Sequence, residues 1–211
     1  EAGKELDAAM GGFAKSRAVQ SQCVVWSYRA LRALWMGQAK DALAAAGKAM
    51  ALAASRQNER DRIRAEWLLG ATGVALAARE PARAEALLGE AEGDLAEALT
   101  RCRRINMVET EADILLAWAA WHRARSDAVA AGRDAPEALA IAERCEYRLQ
   151  QADAHNLLAH LALDRDDRAD ARRHVELARQ HALCDGPPDH TYKPALDEAE
   201  RLLAQLVAGT P

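Results

Sequence analysis

One spacing constrains this chain more than any other feature. A small residue is followed twelve positions later by alanine, and seven positions after that by alanine again. The set occurs without gaps as Ala30, Ala42, Ala49, as Ala119, Ala131, Ala138, and as Ala159, Ala171, Ala178. A looser fourth set is Thr72, Ala84, Ala91. The steps from Ala30 to Thr72, Thr72 to Ala119 and Ala119 to Ala159 are unequal but similar, and they mark an internal repeat. Ala2 and Ala9 precede Ala42 and Ala49 by the same step that separates Ala119 from Ala159, as half a unit. Twelve positions carry a chain down one helix and through a turn, and seven more advance two turns along the next helix on the same face. Antiparallel helices approach closely only where the side chains at the crossing are small, so the spacing describes stacked helix pairs. Larger apolar residues fill the rest: Trp26, Leu68, Leu115 and Leu158 on first helices, and Leu43, Leu88, Leu139 and Val175 on second ones.

Composition agrees. The 211 residues include 51 Ala and 26 Leu but only 12 Gly and 6 Pro, a mixture rich in helix formers. With 9 aromatic residues and few β-branched ones, an all-β fold is excluded. The periodicity predicts helices over 2–12, 15–36, 38–54, 58–79, 82–102, 105–125, 128–146, 148–165, 168–183 and 192–207. Turns are expected at Met36-Gly37-Gln38, Arg79-Glu80-Pro81, Arg125-Ser126-Asp127 and Arg165-Asp166-Asp167. Gly89, Gly93, Gly132 and Pro136 fall inside second helices and predict weakened or kinked segments there. The last helix carries Leu196, Ala199, Leu203 and Leu206 on one face, as a cap over an open end would.

The spacing resembles the tetratricopeptide repeat (TPR), in which small residues recur at position 8 of the first helix and positions 20 and 27 on the second. That resemblance implies an all-α, right-handed α-solenoid of antiparallel helix pairs with a C-terminal capping helix. It would form a single domain over 1–211: a half unit at 1–14, units at about 15–56, 57–103, 104–146 and 147–184, and a cap at 190–208. A standard unit has about 34 residues. The units here are longer and must absorb the excess in longer helices or loops. HEAT and armadillo repeats share the longer period, but the 8/20/27 pattern favours TPR. The strings Leu99-Thr-Arg-Cys-Arg-Arg-Ile-Asn106, Arg144-Cys-Glu-Tyr-Arg-Leu-Gln-Gln-Ala-Asp153, Cys184-Asp-Gly-Pro-Pro188 and Tyr192-Lys-Pro-Ala-Leu196 are similar to the C-terminal TPR region of bacterial STAND-type signalling ATPases, including NACHT-containing ones. The resemblance implies a sensing or autoinhibitory arm, with a protein or peptide ligand and an ATPase domain elsewhere in a parent chain. The sequence holds no phosphate-binding G-x-x-x-x-G-K-[ST] string. It opens Glu1-Ala2-Gly3-Lys4, as a piece of a longer polypeptide would.

In such arrays positions 2, 5, 9, 12 and 13 of first helices face the concave surface. Carried over, position 2 gives Val24, Glu66, Asp113 and Asp153; position 5 gives Ser27, Leu69, Leu116 and Asn156; position 9 gives Leu31, Gly73, Ala120 and His160. Position 12 gives Leu34, Leu76, Arg123 and Leu163, and Asp164 holds position 13. The resulting candidate contacts are Glu66, Asp113, Leu116, Arg123, Asp153, Asn156, His160 and Asp164. Glu66, Asp113 and Asp153 form an acidic ladder suited to a basic peptide. Acids early in a helix also answer its positive end, and Arg62 stands four positions before Glu66. No lysine stands at these inward positions, which disfavours a clamp for an acidic C-terminal tail.

Other constellations are weaker. Net charge −4 and pI near 5.9 argue against a nucleic-acid binder. The cysteines, Cys23, Cys102, Cys145 and Cys184, lack C-x-x-C spacing, so a zinc knuckle is not indicated and a reduced, cytoplasmic setting is the simpler expectation. His181, Cys184, Asp185 and His190 could collect a metal but read more simply as a loop beside a helix end, so no metal or cofactor is expected. Arg101, Arg103 and Arg104 could meet a phosphate, or pair locally, as Arg101 can with Glu97. Trp26, Trp118 and Trp121 fit helix packing. No nucleophile–base set or paired-carboxylate motif stands out, so an enzyme is not expected. The apolar runs fall short of the ~20 residues of a membrane helix.

Overall fold

The computed structural model describes residues 2–15, 18–56, 58–184 and 191–208. Among them the chain is all-α: ten α-helices and one 3₁₀ turn, without a strand. The helices are α1 (Ala2–Lys15), α2 (Val19–Trp35), α3 (Ala39–Arg56), α4 (Glu59–Ala77), α5 (Ala84–Arg104), α6 (Val108–Ala124), α7 (Ala128–Arg144), α8 (Arg148–Asp164), α9 (Arg168–Leu183) and α10 (Lys193–Ala208). None is long and apolar enough to cross a membrane among the described residues. The chain divides into two compact units, Glu1–Ala117 and Trp118–Pro211.

The small residues sit where the spacing requires. All nine alanines of the three gapless sets are fully buried. In the first unit Ala30 packs with Ala45, Ala46 and Leu68, and Cys23 packs with Ala49, Ala53 and Ala65. In the second, Ala119 meets Ala131, Ala135 and Leu161, while Ala159, Ala171 and Ala178 share a core with Val175, Ala199 and Leu202. Side chains this small bring the helix backbones together, and the leucines around them each contribute about 1.5–3 kcal/mol by burial.

The fourth set fits differently. Thr72 is buried, but Ala84 is half-exposed at the start of α5. The close approach of α4 to α5 is made instead by Gly70 and Gly73. A Cβ on Gly70 would lie 2.5 Å from Leu95 Cγ, and one on Gly73 would lie 3.0 Å from Ala91 Cβ. The step from Ala30 to Gly70 equals the step from Ala119 to Ala159, so α4 keeps the common period and the extra length follows it. That length is taken up by the 3₁₀ turn Pro81–Arg83 and by α5, which at 21 residues is the longest helix described. Gly89, Gly93 and Gly132 face open space, and α5 and α7 run unbroken through them and through Pro136.

Five of the described turns obey one rule. Asn106, Ser126, Glu146 and Asp166 are evenly spaced along the chain and take left-handed φ values of 54° to 61°, and Gly37 does the same at 68°. After each, the backbone N–H of the next residue returns to a carbonyl five positions back: Gln38 to Ala33, Met107 to Cys102, Asp127 to His122, Tyr147 to Ala142 and Asp167 to Ala162, at 2.8–3.0 Å. This Schellman closure satisfies the last carbonyls of each helix. Asp127 and Asp167 then cap the following helix, accepting from the N–H of Ala130 and Asp170 at 3.0 Å.

Two outcomes test this account. Glu146→Gly removes a side chain from left-handed backbone and should raise stability by about 0.5–1 kcal/mol, read from the midpoint of urea unfolding. Gly70→Ala should lower it by ~1–3 kcal/mol through the Leu95 overlap, whereas Gly89→Ala on the open face of α5 should be neutral or stabilising by ~0.5–1 kcal/mol. Equal effects at the two glycines would contradict the packing described.

Candidate functional site

The first unit carries a cleft of about 210 Å³ built by three helices that are not consecutive in sequence. α2 supplies Val24, Ser27, Tyr28 and Leu31, the i, i+3, i+4, i+7 face of a helix. α4 supplies Arg64, Trp67 and Leu68, and α6 supplies Glu109, Thr110 and Asp113. Tyr28 and Leu31 also border a second, more open hollow of about 570 Å³ on the α1 side, with Leu6, Ala9 and Trp35. Tyr28 is 59% exposed and Trp35 44%, high values for large aromatics on an otherwise packed helix. Charges line it as well: Glu109 pairs with Arg60 at 2.7 Å, and Arg64 lies 3.9 Å from buried Asp61. Burial raises the Asp61 carboxyl above its ordinary range against the pull of Arg64.

Of the expected concave residues, Val24, Ser27, Leu31 and Asp113 line this cleft, but Glu66, Leu69 and Gly73 do not. The register of α4 explains the difference. One period after Val24, Ser27 and Tyr28 stand Arg64, Trp67 and Leu68, and these face inward. Glu66 is turned away and buried against α5. Its carboxylate accepts from Arg62 Nε at 2.8 Å and lies 3.5 Å from Arg101 Nε. Burial raises its pKa, outweighing both guanidiniums. Arg101 also holds both oxygens of Glu59 at 3.0 Å, and it pairs with Glu97. Arg104 joins Glu59, and Arg103 joins Glu111 at 2.8 Å. The basic cluster at the end of α5 is thus committed to acids of its own unit. Leu116 is half-buried on α6 outside the cleft lining.

In the second unit the expected residues do converge, but on the protein's own last helix. The Tyr192 hydroxyl donates to Asp153 at 2.9 Å. Asn156 Nδ2 donates to the Ala195 carbonyl at 2.8 Å, and His160 Nε2 lies 2.6 Å from Glu198. These partners stand 38 or 39 positions on, so α10 occupies the place of a further first helix one period after α8. His160, and then Arg201, depress the Glu198 pKa to about 2. Arg123 forks onto both oxygens of Asp164, at 2.5 and 2.9 Å, and that bond lowers the Asp164 pKa. Of the acidic ladder, Asp113 borders the cleft of the first unit. The residues that sequence reasoning passed over are Tyr28, Arg64, Trp67 and Trp35. The stripe Val24, Tyr28, Leu31, Trp35, at steps of four, three and four, is the signal that marks them.

Among the described residues no group of three His, Cys, Asp or Glu side chains could hold a metal ion. Asp185 and His190 lie outside the described residues. The four thiols are free, and burial, the dominant effect, raises Cys23 and Cys102 to about 11. Trp121 packs edge-on against Trp118 at 5.2 Å, and His122 stacks on Trp118 at 5.3 Å.

Neither the protein-family models nor the curated protein sequences match this chain. The electrostatics of the α8–α10 contact can be tested directly. Burial lifts Asp153 to about 7, against the Tyr192 hydrogen bond. A carboxyl with a raised folded pKa contributes most below its unfolded pKa, and that contribution is lost as pH rises through about 7. Asp153→Asn, which can still accept from Tyr192, should therefore stabilise the protein more at pH 8 than at pH 5, by ~1–3 kcal/mol, with the difference vanishing only below the unfolded pKa near 4. Equal effects at both pH values in thermal unfolding would refute the assignment.

Proposed function

We propose that the chain is a protein-interaction module of TPR-like helix pairs, serving recognition, sensing or autoinhibition within a bacterial signalling protein of the STAND type, with no catalysis of its own. The observation that carries this reading is the cleft of the first unit. Three helices leave Tyr28, Leu31 and Trp67 around one concavity, and Tyr28 remains mostly exposed. Exposed aromatics beside a preformed hollow are the anchors that dominate binding energy at protein interfaces. The ligand is a peptide segment bearing an apolar or aromatic side chain for the cleft, with a basic residue answering Asp113 and Glu109 in its lining. The resemblance to sensor repeats supports the signalling context, and the ordinary acidic balance of the chain suits a protein partner better than nucleic acid.

A second reading draws on the same surface. Tyr28, Trp35 and Met36 are all exposed on or just beyond α2, and a stripe of this kind can serve self-association instead.

Peptides selected from a displayed random library on the wild-type chain should share an apolar anchor with a neighbouring basic residue. Tyr28→Ala should weaken them by roughly tenfold or more, and Asp113→Ala should weaken the basic ones only. Selection of no peptide, together with concentration-dependent sedimentation abolished by Tyr28→Ala, would move the function to self-association.

A further inference from the structure

Three imidazoles converge between α8 and α9 in the second unit, outside the contacts already described. His155 Nδ1 lies 3.0 Å from His174 Nδ1, and the His181 ring stacks on His155 with centroids 5.5 Å apart. His155 and His174 are buried. The protons in this cluster can be assigned from the donors around it. Arg173 can only donate, and its Nη2 is 3.1 Å from His174 Nε2. His174 Nε2 is therefore the acceptor, so its proton is on Nδ1 and is donated to His155 Nδ1. The His155 proton is then on Nε2. The row from Arg173 through His174 to His155 runs in one direction, and it closes only while both rings are neutral.

A proton added to either ring breaks the row. On His155 it sets two N–H groups face to face, and on His174 it sets one against the Arg173 guanidinium. The surrounding charges do not compensate. Asp170 is 3.7 Å from His174 Nε2 but is already held by Arg173 at 2.6 Å. Arg165, in the turn before α9, adds further positive charge near His174. His181 faces Arg148 of α8 and Glu143 of α7, and its Nδ1 is buried without a hydrogen-bond partner among the described residues. On α10, Glu198 is taken by His160 and Arg201, and Lys193 by Asp197. All three histidines are shifted toward the neutral form, chiefly by burial, His155 to about 4.

We propose that this imidazole stack is an acid-sensitive joint: neutral, it holds α9 against α8; protonated, it releases α9. Depressed folded pKa values mean that the stabilisation is complete above the unfolded value near 6.5 and is lost as pH falls toward 4. Asp153, also on α8, titrates in the opposite sense, favouring the folded form as pH falls. A global melting temperature therefore mixes the two, and a local readout is required. What opens is the apolar seam of Ala159, Ala171, Val175 and Ala178, so the joint would present a new hydrophobic surface under acid conditions. This proposal is independent of the cleft in the first unit.

Amide hydrogen exchange followed by mass spectrometry, corrected for intrinsic rates, tests it on the whole chain. Between pH 7.5 and 4.5, protection of α8 and α9 should fall by roughly tenfold or more relative to α2–α5. In His155→Gln the amide oxygen can accept from His174 Nδ1, so the neutral link persists without its titrating ring, and the relative loss should shrink severalfold. Uniform loss along the chain, no loss, or an unchanged loss in the variant would each overturn the joint. Should the variant not fold, NMR titration of the wild-type imidazoles decides: His155 near its ordinary 6.5 overturns the proposal, and His155 well below it supports the proposal.

Discussion

The near-contact of backbones at alanine and glycine positions governs this structure. A helix pair held by leucines alone could settle at several offsets, because large flexible side chains accommodate one another. A pair held by Ala30 against Ala45 and Ala46, or by Gly70 under Leu95, has one register, since sliding either helix drives a larger side chain into the crossing. Everything placed on the helix faces inherits that register. Arg64 and Trp67 reach the cleft because Gly70, not Thr72, marks the crossing of α4 with α5.

The turns convert this local rule into a cadence. From α6 to α9 the helices have 17, 17, 17 and 16 residues, and each link between them is three residues long, with one left-handed residue closing the helix behind it. A non-glycine residue in that conformation costs about 1 kcal/mol. Asn106, Ser126, Glu146 and Asp166 accept that cost because the returning N–H and the caps at Asp127 and Asp167 satisfy backbone groups that would otherwise be lost to burial. Long helices crossing at small residues and short identical turns are thus one device, with packing fixing the register and the turn fixing the length.

Much of this was legible in the sequence. The three gapless alanine sets lie at buried crossings, and the turns at 36–38, 125–127 and 165–167 fall where Gly37, Ser126 and Asp166 reverse the chain. The register of α4 was not. Spacing identifies small residues but not which of two neighbours bears the contact, and only Thr72, not Gly70, preserves the twelve-position step to Ala84. The 3₁₀ turn at Pro81–Arg83 breaks that step. A two-position shift rotates a helix by more than half a turn, enough to move Glu66 from the cleft to the α5 interface. The polar partners of Asp153, Asn156 and His160 were hidden for another reason: a sequence separation of 38 or 39 positions carries no sign of which helix will lie opposite.

The two units use their inner residues in opposite ways, and the chemistry of each follows from what it has to exclude. Along α8 several inward positions are polar or ionic, and Tyr192 and the start of α10 answer them one by one with a hydroxyl, a carbonyl and a carboxylate. Such pairs specify a partner closely but add little net energy, because each group gives up water to make its bond. The firmness of that contact comes from Ala195, Ala199, Leu202 and Leu206 beneath them. The cleft between α2, α4 and α6 reverses the proportions, with aromatic and aliphatic side chains outnumbering the charged ones in its lining. The polar face is therefore matched to a helix of the same chain, whereas the cleft leaves Tyr28 mostly exposed.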